Sequence, residues 1–126
     1  MRLALVLAGG ALGSAARYLL STWMAGRLGP AFPWGTLAVN ILGSFVIGLV
    51  ATLADEAGGI GPQARLLLVP GVLGGFTTFS SFSLETLRLV EDGEVVHAAL
   101  YVLGSIAAGL VAAALGVAAG RALTPA

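Results

Sequence analysis

Cysteine is absent from the chain, which excludes disulfides, thiolate metal ligands and cysteine nucleophiles. Charge is scarce. Only 10% of the 126 residues are Asp, Glu, Lys or Arg, against about 25% in a soluble domain. Six basic and six acidic residues cancel, and no basic run of the kind that binds nucleic acid occurs. The single histidine, His97, has no metal-ligand cluster around it. No nucleophile and base stand at a catalytic spacing, which argues against a membrane enzyme. A Gly-rich phosphate loop and a mid-membrane acidic relay are both missing, so any transport is expected to be passive.

What the chain has instead is apolar length. Hydrophobic residues make up 58% of it, with a mean hydropathy of +1.00. The charges cluster and leave uncharged runs that fit spans of about 20 residues. These runs predict an all-α membrane protein with four spans, at about 3–24, 34–54, 63–89 and 95–123, in one domain within the lipid bilayer. Met1-Arg2 before an apolar run resembles a signal peptide, but the apolar stretch continues toward Trp23, longer than a usual signal core.

In the first span, Gly9 and Gly13 form a small-xxx-small face of the kind that lets helix backbones approach in lipid. Arg17 interrupts the span about two turns from its expected end, either snorkelling beside Tyr18 and Trp23 or anchoring groups of another span. A turn is expected from Gly26 to Pro33. In the second span Thr36, Asn40 and Ser44 share one face at i, i+4 and i+8. Asn40 is read either as interhelical glue or as an N–H donor to an anion. In the fourth span His97, Tyr101, Ser105 and Gly109 make a second stripe, and Gly116 and Gly120 a second small face.

The third span contains the most unusual stretch. Residues Gly74 through Ser83 hold two glycines, three phenylalanines and five hydroxyl residues, with no Leu, Ile, Val or Ala. An unpaired backbone group in hydrocarbon costs several kcal/mol. A broken helix survives at that depth only when buried in protein or lining a pathway. The third helix is therefore expected to break near its middle, at Gly74-Gly75 after Pro70, and to build an ion pathway. Phe79 and Phe82 fall on one face at i, i+3, and Phe76 lies about 120° away. Glu85 and Arg88 are spaced for an i, i+3 pair near the end of the span.

These segments resemble the fluoride channels of the CrcB/Fluc family over all four spans. Three stretches carry the likeness: Gly9 to Gly13 with Arg17-Tyr18; Gly35 to Asn40 with Gly43-Ser44-Phe45 and Gly48; and Gly74 to Ser83 with Glu85. Ser81 stands where the family often has threonine and keeps the hydroxyl. The resemblance implies an antiparallel, dual-topology homodimer in a prokaryotic inner membrane that passively exports fluoride. It implies a pathway of Phe79, Phe82, Asn40, Thr36, Ser81, Tyr101 and Ser105. It further implies a central sodium ion on the backbone carbonyls of Gly74 and Thr77, with structural roles for Arg17 and Glu85.

Two rivals are weaker. A small dual-topology multidrug exporter would need a membrane-buried acid in its first span, where this chain has Arg17 and no acid. A purely structural subunit has no use for a polar break and two polar stripes.

With alternating spans, Arg2, Arg65 and Arg121 fall on one side and Arg17, Arg27 and Arg88 on the other. The positive-inside rule then gives no instruction, and the chain is expected to insert both ways. A tag on the C-terminus should be accessible from both sides of the membrane; labelling from one side alone would contradict dual insertion.

Overall fold

A computed structural model describes residues 1–124. It contains four helices long and apolar enough to cross a membrane: Arg2–Leu28, Trp34–Glu56, Pro62–Glu91 and Val95–Leu123. We refer to them as the first to fourth spans; they make the chain a multi-pass membrane protein. The first helix runs through Gly26, where a turn was expected, because one interior glycine costs only about 1 kcal/mol. The stop comes at Gly29, which takes φ 81°, a conformation open to glycine, and Pro30 follows.

The third span is a composite. It is α-helical over Pro62–Leu66, widens into π-helical turns over Leu67–Leu73, and returns to α-helix over Gly74–Phe76. Pro70 lies inside the wide turns and explains them. It lacks an N–H for the carbonyl of Leu66, and its ring would crowd that carbonyl in a tight helix. Thr77 is extended at φ −82° and ψ 156°, and a second helix restarts at Ser80 and runs to Glu91. The span is thus bent and interrupted, but at Thr77–Phe79. Gly74 and Gly75, where sequence placed the break, keep helical backbone.

Two tight helix pairs make up the bundle. The second span packs most extensively on the fourth, and the first on the front half of the third. Lipid offers no hydrophobic reward for helix association, so close backbone packing must supply it. Glycines provide that closeness. Gly9 and Gly13 face the backbone of Leu67, Gly71 and Val72, and Gly75 returns the contact against the Gly10 carbonyl. In the other pair, Gly48 sits on Ala113, Gly116 on the Phe45 carbonyl and Gly120 on Thr52. At one end Arg65 pairs with Asp55, and Arg121 with Glu56 at 3.2 Å. Both pairs are exposed and contribute little to stability.

A Cβ on Gly13 would collide with the Val72 carbonyl, which cannot rotate aside. Gly13→Ala should destabilise the fold by about 1–3 kcal/mol, read as a lower unfolding midpoint in detergent. Gly26→Ala, where a Cβ meets nothing within 4 Å, should match or exceed the parent protein.

Candidate functional site around the third-span break

An uninterrupted helix would send the Thr78 N–H to the Gly74 carbonyl and the Ser81 N–H to the Thr77 carbonyl. Neither bond forms. The Thr78 N–H donates to Asn40 Oδ1 at 2.9 Å, and Asn40 Nδ2 donates back to the Thr78 carbonyl at 3.0 Å. Ser81 N–H donates to Thr78 Oγ1 at 3.2 Å. One side-chain amide thus serves both backbone groups of Thr78, much as a neighbouring strand would. The carbonyls of Gly74 and Thr77 are left without the amides a helix would have given them. Gly75 is treated differently: its carbonyl accepts from Arg17 Nε at 3.2 Å. Arg17 therefore anchors a carbonyl of another span, one of the two readings its position allowed. Gly43, one turn beyond Asn40, gives room for the break, since a Cβ there would overlap the Thr77 methyl.

Beside the break lies an open cavity of about 430 Å³, lined by residues that include Asn40, Ser44, Gly74, Thr77, Phe79, Phe82 and Ser105. It gathers four of the seven expected pathway side chains and both expected carbonyl residues. Phe79 leans on Phe82 with centroids 5.7 Å apart, yet remains 78% exposed. Phe82 in turn meets Tyr101 at 5.0 Å. Tyr101 is wholly buried with its hydroxyl toward Thr36 and Glu85, short of full hydrogen-bond geometry, and the Ser105 hydroxyl has no partner among the described residues. Buried polar atoms are normally satisfied, so such an orphan invites a ligand. Phe76, in the helical part before the break, is buried apart from the Phe79–Phe82 pair.

Thr36 and Ser81 lie elsewhere. They line a second depression of about 290 Å³ with Arg17, Thr78, Glu85 and Arg88. Thr36 Oγ1 donates to Glu85 Oε1 at 2.7 Å. Glu85 therefore pairs across to the second span; the described residues show no bond from it to Arg88, the i, i+3 partner that spacing suggested. Thr78 borders both depressions, so the Asn40 clasp sits between them. His97 stands at the exposed start of the fourth span, 3.0 Å from Glu94. Two residues escaped the sequence reading. Thr78 was only one of five hydroxyls in its stretch, with nothing to single it out. Phe32, in a Pro-bounded turn, reaches the Tyr101 ring at 5.5 Å, a contact that no periodicity signals.

Asn40→Ala would strip Thr78 of both partners. Membrane hydrogen bonds average about 0.6 kcal/mol, and a buried orphan about 1–3. The variant should lose about 1–3 kcal/mol of stability in a thermal melt. A midpoint equal to that of the parent would show that the clasp holds nothing.

The sequence matches the family described as CrcB-like protein, Camphor Resistance (CrcB), over residues 4–117. It is 57% identical to a protein of Thermus thermophilus named fluoride-specific ion channel FluC, over 97% of this chain and 95% of that one. Proteins of the same name from Rhizobium meliloti and Agrobacterium fabrum are 49% and 50% identical, over 94% and 96% of this chain and 95% and 97% of theirs. Four apolar spans, an interrupted third span and near-full-length identity of about half converge on one conclusion, that this chain belongs to the CrcB family.

Proposed function

We propose that the chain is a passive fluoride channel of the bacterial cell membrane, built as an antiparallel homodimer, which lets fluoride leave the cell. The observation that carries this reading is the break at Thr77–Phe79, with a bare Phe79 ring and an open cavity beside it. It occurs in a chain about half identical, nearly end to end, to proteins named as fluoride-specific channels.

Fluoride is small and tightly hydrated, so a pore must replace its water at close range. Phenyl edges carry the positive end of the ring quadrupole. Phe79 and Phe82 present such rings at the cavity. An amide nitrogen has two hydrogens; Asn40 spends one on the Thr78 carbonyl and keeps the other. The Ser105 hydroxyl, without a partner among the described residues, adds a donor, and the Tyr101 hydroxyl stands next to it on the same helix face. Thr36 and Ser81 continue the polar lining on the far side of the clasp. No full positive charge binds the ion in the cavity, so it enters and leaves. An inside-negative potential favours anion exit by about 2.3 kcal/mol per 100 mV.

The dimer reading is supported by what one chain leaves uncovered. Gly74, Phe79, Ser80 and Ser83 are exposed on the third span. Backbone and hydroxyl groups facing hydrocarbon are costly, and a second, inverted copy covers them. Sodium suits the same place. The Gly74 and Thr77 carbonyls have lost their helical amides, and carbonyl rings can replace the hydration shell of an alkali ion. Two such carbonyls from each copy make a four-oxygen site on the dyad. Bound sodium would hold the copies together and bias the local field toward anions.

Purified protein in liposomes should release fluoride, read by electrode, and retain chloride; no fluoride release would reject the channel reading. Phe79→Ile and Phe82→Ile should each slow release about 5–10-fold while the dimer persists. Unaltered release in both would remove the rings from the mechanism. Prolonged replacement of sodium by a large organic cation should abolish release, and indifference would exclude a required sodium.

A further inference from the structure

We infer that Phe32 is a positioning residue for the pathway, fixing the tilt of the Tyr101 ring against Phe82. The inference rests on the reading of Tyr101 and Phe82 as pathway residues. Phe32 belongs to the connection between the first two spans, between Pro30 and Pro33. Its ring meets Tyr101 edge to face, centroids 5.5 Å apart and planes at 82°. On its other side Tyr101 meets Phe82 at 5.0 Å and 52°, and Phe82 meets Phe79 at 5.7 Å. Four rings thus run in a file from the connecting loop to the cavity.

Tyr101 lies with its hydroxyl toward the Thr36–Glu85 pair but forms no hydrogen bond of full geometry with it. The tyrosine is 0% exposed and enclosed between the rings of Phe32 and Phe82. The Thr36–Glu85 pair acts on the hydroxyl end of Tyr101, and the ring contacts on its two sides set the tilt of the ring and its backing of Phe82. An edge-to-face pair does so because the positive edge of one ring meets the negative face of the other. Phe32 is itself held firmly. Trp34 packs on it at 4.7 Å, His97 meets it edge-on at 6.1 Å, and its carbonyl accepts the Trp34 N–H at 2.8 Å. Phe32, Leu37 and Phe82 together close over the buried group of Leu89, Ala98 and Tyr101. Leucine at 32 would still fill the space apolarly, but it has no quadrupole with which to set a tilt.

The test uses the full-length protein in liposomes, with 3-fluorotyrosine incorporated for ¹⁹F NMR; the chain has two tyrosines, and Tyr18→Phe assigns the lines. Phe32→Leu should slow fluoride release about 3–10-fold and shift or broaden the Tyr101 line. Phe32→Tyr, which keeps the ring, should restore release to within about twofold. Release from Phe32→Leu at the parent rate would overturn the inference. So would a loss that Phe32→Tyr does not recover, or an unmoved Tyr101 line. Failure of the parent protein itself to release fluoride would instead overturn the channel reading on which the inference stands.

Discussion

A helix that crosses hydrocarbon is interrupted only where another group takes its amides, and in this protein Asn40 does so. Its side-chain amide pairs with both backbone groups of Thr78, at 2.9 and 3.0 Å. That pairing diverts the Thr78 N–H from the Gly74 carbonyl and lets Thr77 stay extended. The bared carbonyls, the exposed Phe79 ring and the cavity beside them all follow from this diversion. The two readings weighed for Asn40, glue and donor, are compatible. One amide hydrogen closes the clasp and the other remains available.

Reaching Thr78 from the second span demands close backbone approach, and small residues supply it. Gly43 admits the Thr77 side chain next to the clasp. Gly9, Gly13 and Gly75 seat the front half of the third span on the first, where Arg17 takes the Gly75 carbonyl. The widened turns at Pro70 belong to the same economy of backbone partners, since proline removes one donor and the helix spreads to accommodate it. On the proposed reading, this scaffold keeps the polar track rigid, and no charged side chain lines the cavity at the two rings.

Much of this was legible in the sequence. Four spans followed from the spacing of charges, and both glycine seams from their intervals of four. Helical periodicity brings Asn40 and Ser44 of the second span to one cavity with Ser105 of the fourth, while Thr36, a turn away, is taken up by Glu85. The position of the break was not legible. Paired glycines weaken a helix, yet Gly74 and Gly75 stay helical, and the absent side chain of Gly75 serves packing against Gly10. The interruption falls three residues later, where a partner from another span exists, and such a partner is a tertiary fact. Phe32 was hidden for the same reason, for a turn residue has no periodicity to betray where it packs.

The clasp can be observed directly. Solid-state NMR of protein in bilayers, labelled at Asn40 and across Thr77–Phe79, reports both the backbone conformation and the distance from Asn40 Nδ2 to the Thr78 carbonyl. The account predicts extended shifts at Thr77 and a side-chain-to-backbone contact at hydrogen-bond range. Helical shifts running unbroken from Gly74 to Ser83, with the Asn40 amide remote from Thr78, would contradict it.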